Sequence, residues 1–278
     1  MPADRPLIPR ALTIAGSDSG GGAGIEADLR TFAALGVWGT VAITSVTVQN
    51  TTGVSGVSDV PANVVGAQIL AVASDIGVDA AKTGMLSSAA IIEAVADAIE
   101  RAGIRALVVD PVSVSKHGDP LLRPDAVGAL RGRIVPLAAL VTPNLPEAAA
   151  LAGFDVVTRD DMRRAADAIL GLGASAVLVK GGHLESGDGR ADDLFADRSG
   201  AAWFEAERID TLNTHGTGCV LSAAIAAHLA LGRTVRQAAA EGKRFVTEAI
   251  RHSLALGRGI GPVDPAWRSV EEVRSGEP

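Results

Sequence analysis

Residues 11–36, ALTIAGSDSGGGAGIEADLRTFAALG, run from a short apolar segment through a glycine-rich turn into a stretch of helical character. A strand that passes by a tight turn into a helix is the repeating unit of a parallel sheet covered by helices. The rest of the chain keeps that rhythm. Apolar, β-branched runs at 41–48, 80–82, 106–110, 139–142 and 176–180 read, like 11–15, as buried strands. Helices are predicted over 24–35, 61–72, 88–102, 124–133, 144–151, 159–172, 217–231 and 235–256, several opening on Ser, Thr or Asn and closing on Gly. The expected fold is α/β, with a mostly parallel central sheet and helices on both faces.

Two segments interrupt the pattern. Residues 51–60 read as a short strand or flap, and 184–207 as a loop followed by a hairpin from 193–197 and 202–207. No repeat, low-complexity tract or charge block divides the chain, so a single domain over 1–262 with a loosely held tail, 263–278, is expected.

Composition narrows the function. Of 278 residues, 47% are apolar and 21% charged, enough to bury a large core. The net charge of −7, without a basic stripe, argues against nucleic acid as a partner. Cys219 is the single cysteine, which excludes an intrachain disulfide and a cysteine zinc site. No apolar run reaches the roughly 18 residues of a membrane span. Asp4 and two further prolines stand where a signal peptide would carry its apolar core, so a cytoplasmic protein is expected.

Ligands of open α/β sheets gather beyond the carboxyl ends of the strands, and there the polar residues are informative. After the first strand, Gly16 to Gly24 lets backbone approach a ligand, with Glu26 and Asp28 in the first turns of the helix that follows. Residues 22–27 fit G-x-G-x-x-A, yet no acid lies between Asp28 and Asp59, and no Gly-Lys precedes Ser or Thr, so neither a dinucleotide fingerprint nor a Walker loop is present. The loop also reads as no more than a tight connection. Near the C-terminal end, Asn213-Thr214-His215-Gly216-Thr217-Gly218-Cys219 opens a helix of small residues; converging amides there suit a transferring phosphoryl group. A helix N-terminus lowers a thiol pKa, making Cys219 a candidate base, although an isolated cysteine is commonly a small buried hydrophobe. Asp110, Asn144 and Glu147 at adjoining strand ends suit a Mg²⁺ held through water; Asn144 and Glu147 equally form a capping box. Lys180 ends its strand as a candidate phosphate contact or as a solvated lysine.

In order and spacing, AGSDSGGGAGIEADLRTFAALG (15–36), VTVQNTTGV (46–54), KTGML (82–86), VVDPVSVSKHGDPLL (108–122), TPNLPEAAAL (142–151), LVKGGH (178–183) and NTHGTGC (213–219) resemble the hydroxymethylpyrimidine/phosphomethylpyrimidine kinases of the ribokinase-like superfamily. The resemblance implies a three-layer α/β/α sandwich, ATP and Mg²⁺, a small pyrimidine acceptor and a homodimer. It implies that Asp28 and Gln49 hydrogen-bond the pyrimidine, with Gly16, Ala23, Met85 and Val112 walling its pocket. Asp110, Asn144 and Glu147 would organise Mg²⁺; Lys180, Thr214, Thr217 and Lys243 would serve the nucleotide. Gly216 and Gly218 would form the anion hole and Cys219 the base. Glu26, Thr83 and Ser113 depart from the commoner family residues, Gln, Ile and Met. A pyridoxal kinase is the nearest alternative and a catalytically silent binding protein a more distant one.

Overall fold

Apolar runs without polar alternation bury both faces of a strand. In the computed structural model, which describes residues 8–113, 118, 121–123, 125–182, 184 and 189–268, such runs form the centre of one large sheet. Along the chain come β1 (Arg10–Ala15), α1 (Gly24–Ala34), β2 (Trp38–Ile43), β3 (Ser45–Asn50), β4 (Gly53–Asp59), α2 (Ala62–Asp75), β5 (Ala80–Thr83), α3 (Ala89–Ala102), β6 (Leu107–Val109), α4 (Ala126–Ala129), β7 (Leu140–Val141), α5 (Leu145–Ala152), α6 (Arg159–Gly171), β8 (Ala176–Val179), β9 (Asp193–Asp197), β10 (Gly200–Phe204), α7 (Thr217–Ala230) and α8 (Val235–Arg251). The eight-stranded sheet runs β10-β9-β8-β7-β6-β5-β1-β2, parallel from β8 to β2, with β9 and β10 antiparallel at one edge.

Each face carries its own core. Leu12, Ile14, Ala81, Val109, Val141 and Val177 pack beneath the helices that include Ile92, Ile99 and Ile169, whereas Ala11, Val108, Leu140 and Leu178 pack with Phe32, Val220, Ile225 and Phe245. Strand parity makes this division, since neighbours in sequence point to opposite faces. The helices start where side chains satisfy their first amides: Ser88 caps α3, and capping boxes open α5 (Asn144/Glu147), α6 (Thr158/Asp161) and α8 (Thr234/Gln237).

Four expectations are corrected. The run 41–48 is two strands: the large sheet ends with Ile43, the Thr44 amide donates to Ala15 O at 3.0 Å, and β3 leaves to pair with β4 as a separate antiparallel ribbon. Ser45-Val46-Thr47-Val48 alternates, and the ribbon exposes Val46 and Val48, the pattern of a strand with one covered face. The helix expected over 124–133 is four residues of α4 followed by a π-turn, Leu130–Ile134. Helix α8 stops at Arg251 rather than 256. The segment after Pro262 is not loose from its start: Val263 and Asp264 donate backbone hydrogen bonds to His215 and Ala249, and the ring of buried Trp267 packs tilted against Phe245, centroids 4.7 Å apart. Residues 114–117, 119–120, Pro124, His183 and the tail from 269 lie outside the described residues, as do 1–7 and 185–188. No helix among the described residues is long and apolar enough to cross a membrane.

Candidate active site

The chain passes from β1 through α1 to β2 on one side and returns by the ribbon and α2 to β5 on the other, so strand order reverses at β1 and a crevice opens beyond the carboxyl ends of β1 and β5. A cleft of about 920 Å³ lies there. The loops after β1, β5, β6, β7 and β8, the ribbon and the start of α7 all line it.

The glycine loop after β1 is shaped by one carboxylate. Asp18 accepts from the amides of Gly20 (2.8 Å), Gly22 (3.0 Å) and Ala23 (2.8 Å), and its Oδ2 lies 2.7 Å from His215 Nε2. Burial alone would raise Asp18; His215, with the amides of Gly20 and Ala23, outweighs burial and holds the carboxyl below its ordinary value. Glu26, in the first turn of α1, accepts from the Asp18 amide at 2.7 Å. Gly216, at φ +79°, caps α7, and a Cβ there would stand 1.9 Å from Gly22 O. The two glycine segments therefore touch backbone to backbone. At this junction Gly218, Thr214, Thr217 and Cys219 face the cleft beside Gly16, Ala23 and Gln49.

Beneath them lies a buried ion pair. Lys82 and Asp28 are fully buried; Lys82 Nζ donates to Asp28 Oδ2 at 3.0 Å and Oδ1 at 3.3 Å, and Thr13 Oγ1 donates to Oδ2 at 2.6 Å. Against the lowering effect of burial, Asp28, then Cys219 and Asp110, keep Lys82 protonated and raise its pKa. Asp28 is thus not among the residues that line the cleft; its place as a pyrimidine contact is corrected, because it is fully buried and turned onto Lys82 and Thr13. Lys82 lines the cleft in its stead. Cys219 is partly exposed, yet burial pushes its thiol up to about 12; Lys82 pulls it down, while Asp28 and Asp110 push it up. The lowering expected from the helix N-terminus is overruled by desolvation and two carboxylates.

At the ends of β6, β7 and β8 stands one cation between two acids. Lys180 Nζ donates to Asp110 Oδ1 at 3.0 Å and lies 3.7 Å from Glu147 Oε2. Burial, with Asp110 opposing Lys180, raises Glu147 to about 7. Asn144 Oδ1 accepts from the Glu147 amide (2.9 Å) and Glu147 Oε2 from the Asn144 amide (2.8 Å), so the capping box holds the carboxylate at the strand ends. Among the described residues no three His, Cys, Asp or Glu side chains converge as a metal cage. Further along, Lys243 Nζ donates to Asp193 Oδ2 (2.8 Å) and Ala191 O (2.7 Å), and Asp193 receives the Gly181 amide (2.9 Å).

Apart from Asp28 and Glu26, the structure gathers the candidate site residues into this cleft: Met85 and Val112 line it with Gln49, and Asp110, Asn144, Glu147, Lys180 and Lys243 with the α7 loop. Sequence reading missed the work of Lys82, Asp18 and His215. For Asp18 a signal existed, since an Asp two residues before a glycine invites an Asx-turn. Lys82 reads as a strand-end lysine until its partner, 54 residues away, is placed.

The family model of phosphomethylpyrimidine kinase matches residues 18–264. A Mycobacterium tuberculosis protein named hydroxymethylpyrimidine/phosphomethylpyrimidine kinase is 55% identical over 261 residues, 94% of either chain. Among solved structures, a Bacillus subtilis pyridoxal kinase bound to ADP superposes with TM-score 0.87 at 42% identity, covering 94% of this chain and 99% of that one. A Clostridium difficile phosphomethylpyrimidine kinase gives TM-score 0.76 at 43% identity, covering 87% and 99%. The family model that spans residues 18–264, with 55% identity to a curated member over 94% of either chain, places the chain in the phosphomethylpyrimidine kinase family.

Proposed function

We propose that the chain transfers the γ-phosphate of ATP to the hydroxymethyl group of 4-amino-5-hydroxymethyl-2-methylpyrimidine and then, in a second turnover, to the resulting monophosphate, supplying thiamine biosynthesis. The observation that carries this reading is the meeting, in one cleft, of a wall of Gln49, Met85, Val112, Gly16 and Ala23 with the α7 loop and Lys180. The acceptor oxygen forms a bond to the γ-phosphorus, the bridging bond to ADP breaks, and the hydroxyl proton passes to Cys219 as its thiolate, the form that Lys82 favours. Amides of Gly216 and Gly218 receive charge on the transferring group, and Lys180, Thr214, Thr217 and Lys243 position the nucleotide. With a thiol near 12, little thiolate is present; a loose transition state demands little of its base, so positioning and charge stabilisation carry most of the rate.

Asp110 and Glu147 have the hard oxygen donors that Mg²⁺ takes, and Asn144 shapes their corner; with no protein cage among the described residues, these two carboxylates would hold the ion together with phosphate oxygens and water. Such an ion would supply charge neutralisation to the transferring phosphoryl group. We place the protein in the cytoplasm as a homodimer, in keeping with the exposed apolar side chains Trp38, Val46, Val48 and Val57 on β2 and the ribbon.

An ADP-release assay with the pyrimidine alcohol, its monophosphate and pyridoxal tests the reading. Turnover of both pyrimidines is expected; preference for pyridoxal, favoured by the likeness to a solved pyridoxal kinase, would replace it. Cys219→Ala is expected to lower kcat by about 10²–10⁴-fold with ATP affinity retained. Unchanged turnover removes Cys219 from the mechanism.

A further inference from the structure

Asp59 ends β4, outside the cleft, yet three segments that line the acceptor end converge on it. Ser45 Oγ donates to its Oδ1 at 2.8 Å and Ser87 Oγ donates to the same oxygen at 2.7 Å. Arg123 donates to the other oxygen at 3.2 Å. Ser45 and Ser87 are buried, and each stands just beside a cleft wall. Ser45 begins the strand that carries Thr47 and Gln49, while Ser87 follows Met85 by two residues. Arg123 closes the segment of Val112 and Leu121: the Leu121 amide donates to Ser113 O (2.9 Å) and the Arg123 amide to Ser87 O (3.1 Å). Thr44, one residue before the ribbon, donates through Oγ1 to Met85 O at 2.7 Å, so the same corner is tied twice. Nothing on the nucleotide side of the cleft touches Asp59 in these bonds.

We propose that Asp59 is a positioning residue for the acceptor: it fixes the Gln49, Met85 and Val112 walls relative to one another and so sets acceptor recognition without acting on the nucleotide. This rests on the assignment of that end of the cleft to the acceptor. A carboxylate suits the task because it is acceptor-only and binds two hydroxyls and a guanidinium at once. Asp59→Ala leaves two buried hydroxyls without their acceptor and frees Arg123, and small displacements of positioning groups are costly to turnover. Asp59→Asn keeps Oδ1 for both serines and turns an amide toward Arg123, so it restores part of the joint.

The test compares steady-state constants of wild type, Asp59→Ala and Asp59→Asn, together with hydrogen exchange of peptides covering Ser45, Ser87, Arg123 and Gly216. In Asp59→Ala the KM of the acceptor is expected to rise about tenfold, with the KM of ATP held within about twofold, and Asp59→Asn to fall between. Exchange is expected to quicken at the first three peptides and to stay unchanged at Gly216. Equal changes in both KM values, or unchanged exchange at the three peptides, overturn the proposal. Should Asp59→Ala fail to fold, Asp59→Asn alone decides, on the same split. If wild type turns over neither pyrimidine nor pyridoxal, the acceptor assignment fails, while the exchange data still decide whether Asp59 joins the three segments.

Discussion

Backbone builds the α7 end of the cleft, whereas buried side chains build the floor under it. At the α7 end Gly216 and Gly22 approach so closely that no side chain fits between them, and helix amides face the cleft. On the floor, the charge of Lys82 is held by Asp28, whose carboxylate also receives the Thr13 hydroxyl, and all three side chains are buried. The first arrangement is made by residues close together in sequence on each side, glycines that permit one geometry. The second depends on a helix and two strands arriving at the same depth. Failure should therefore look different at the two ends: loss of rate at the first, loss of stability at the second.

The largest expected effect comes from the backbone end. Gly216→Ala adds a Cβ 1.9 Å from Gly22 O at φ +79°, so the loops must part and the amides turn away. We expect turnover to fall about 10³-fold, the scale of a lost oxyanion donor, with the far-UV spectrum unchanged. A variant with near wild-type kcat would show that the backbone contact is dispensable.

The floor is probed by Lys82→Met, which leaves the Asp28 carboxylate buried without its cation. Denaturant midpoints should report a loss of about 3–5 kcal/mol. Pairing it with Asp28→Asn removes both charges and should recover most of that loss, since a buried pair is worth little against neutral groups of similar size. A double variant as unstable as the single one would mean that Lys82 acts through its shape.

Between the two ends stands Glu147, whose folded pKa near 7 lies above the ordinary glutamate value of 4.5. The sign follows from proton counts: between these values the folded state binds the proton that the unfolded state has released, so stability contributed below pH 4.5 is lost as pH rises through about 7. Melting temperature should fall from pH 5 to pH 7.5 in the wild type, and Glu147→Gln should flatten that fall. An unaltered slope would assign it to another group.

The smallest effect concerns Thr83, beside Lys82 on β5 but facing the other core. Its Oγ1 is buried without a hydrogen-bond partner. Thr83→Val should stabilise the protein by about 1 kcal/mol, read from the same midpoints, because the hydroxyl is desolvated without compensation.

The α7 end was legible because its information is local. The pattern Asn213 to Cys219 before a small-residue helix, and the glycines from Gly16 to Gly24, state their geometry within a few residues. The Asn144/Glu147 capping box was equally readable from a three-residue spacing. Less readable were features that depend on what covers a segment. The run 41–48 looked like one strand, and its division at Thr44 is fixed by hydrogen bonds to Ala15 and Met85. Asp28 looked like a ligand contact until α1 was seen to turn it onto Lys82.

Sequence alone determined the alternation of strand and helix, the glycine turns and the caps, because hydrophobic period, φ preference and capping act over a few neighbouring residues. Tertiary structure decided which polar groups face the cleft and which neutralise one another. Burial and distance set the charge of Lys82, Glu147 and Cys219, and both arise only when segments far apart in the chain are packed together.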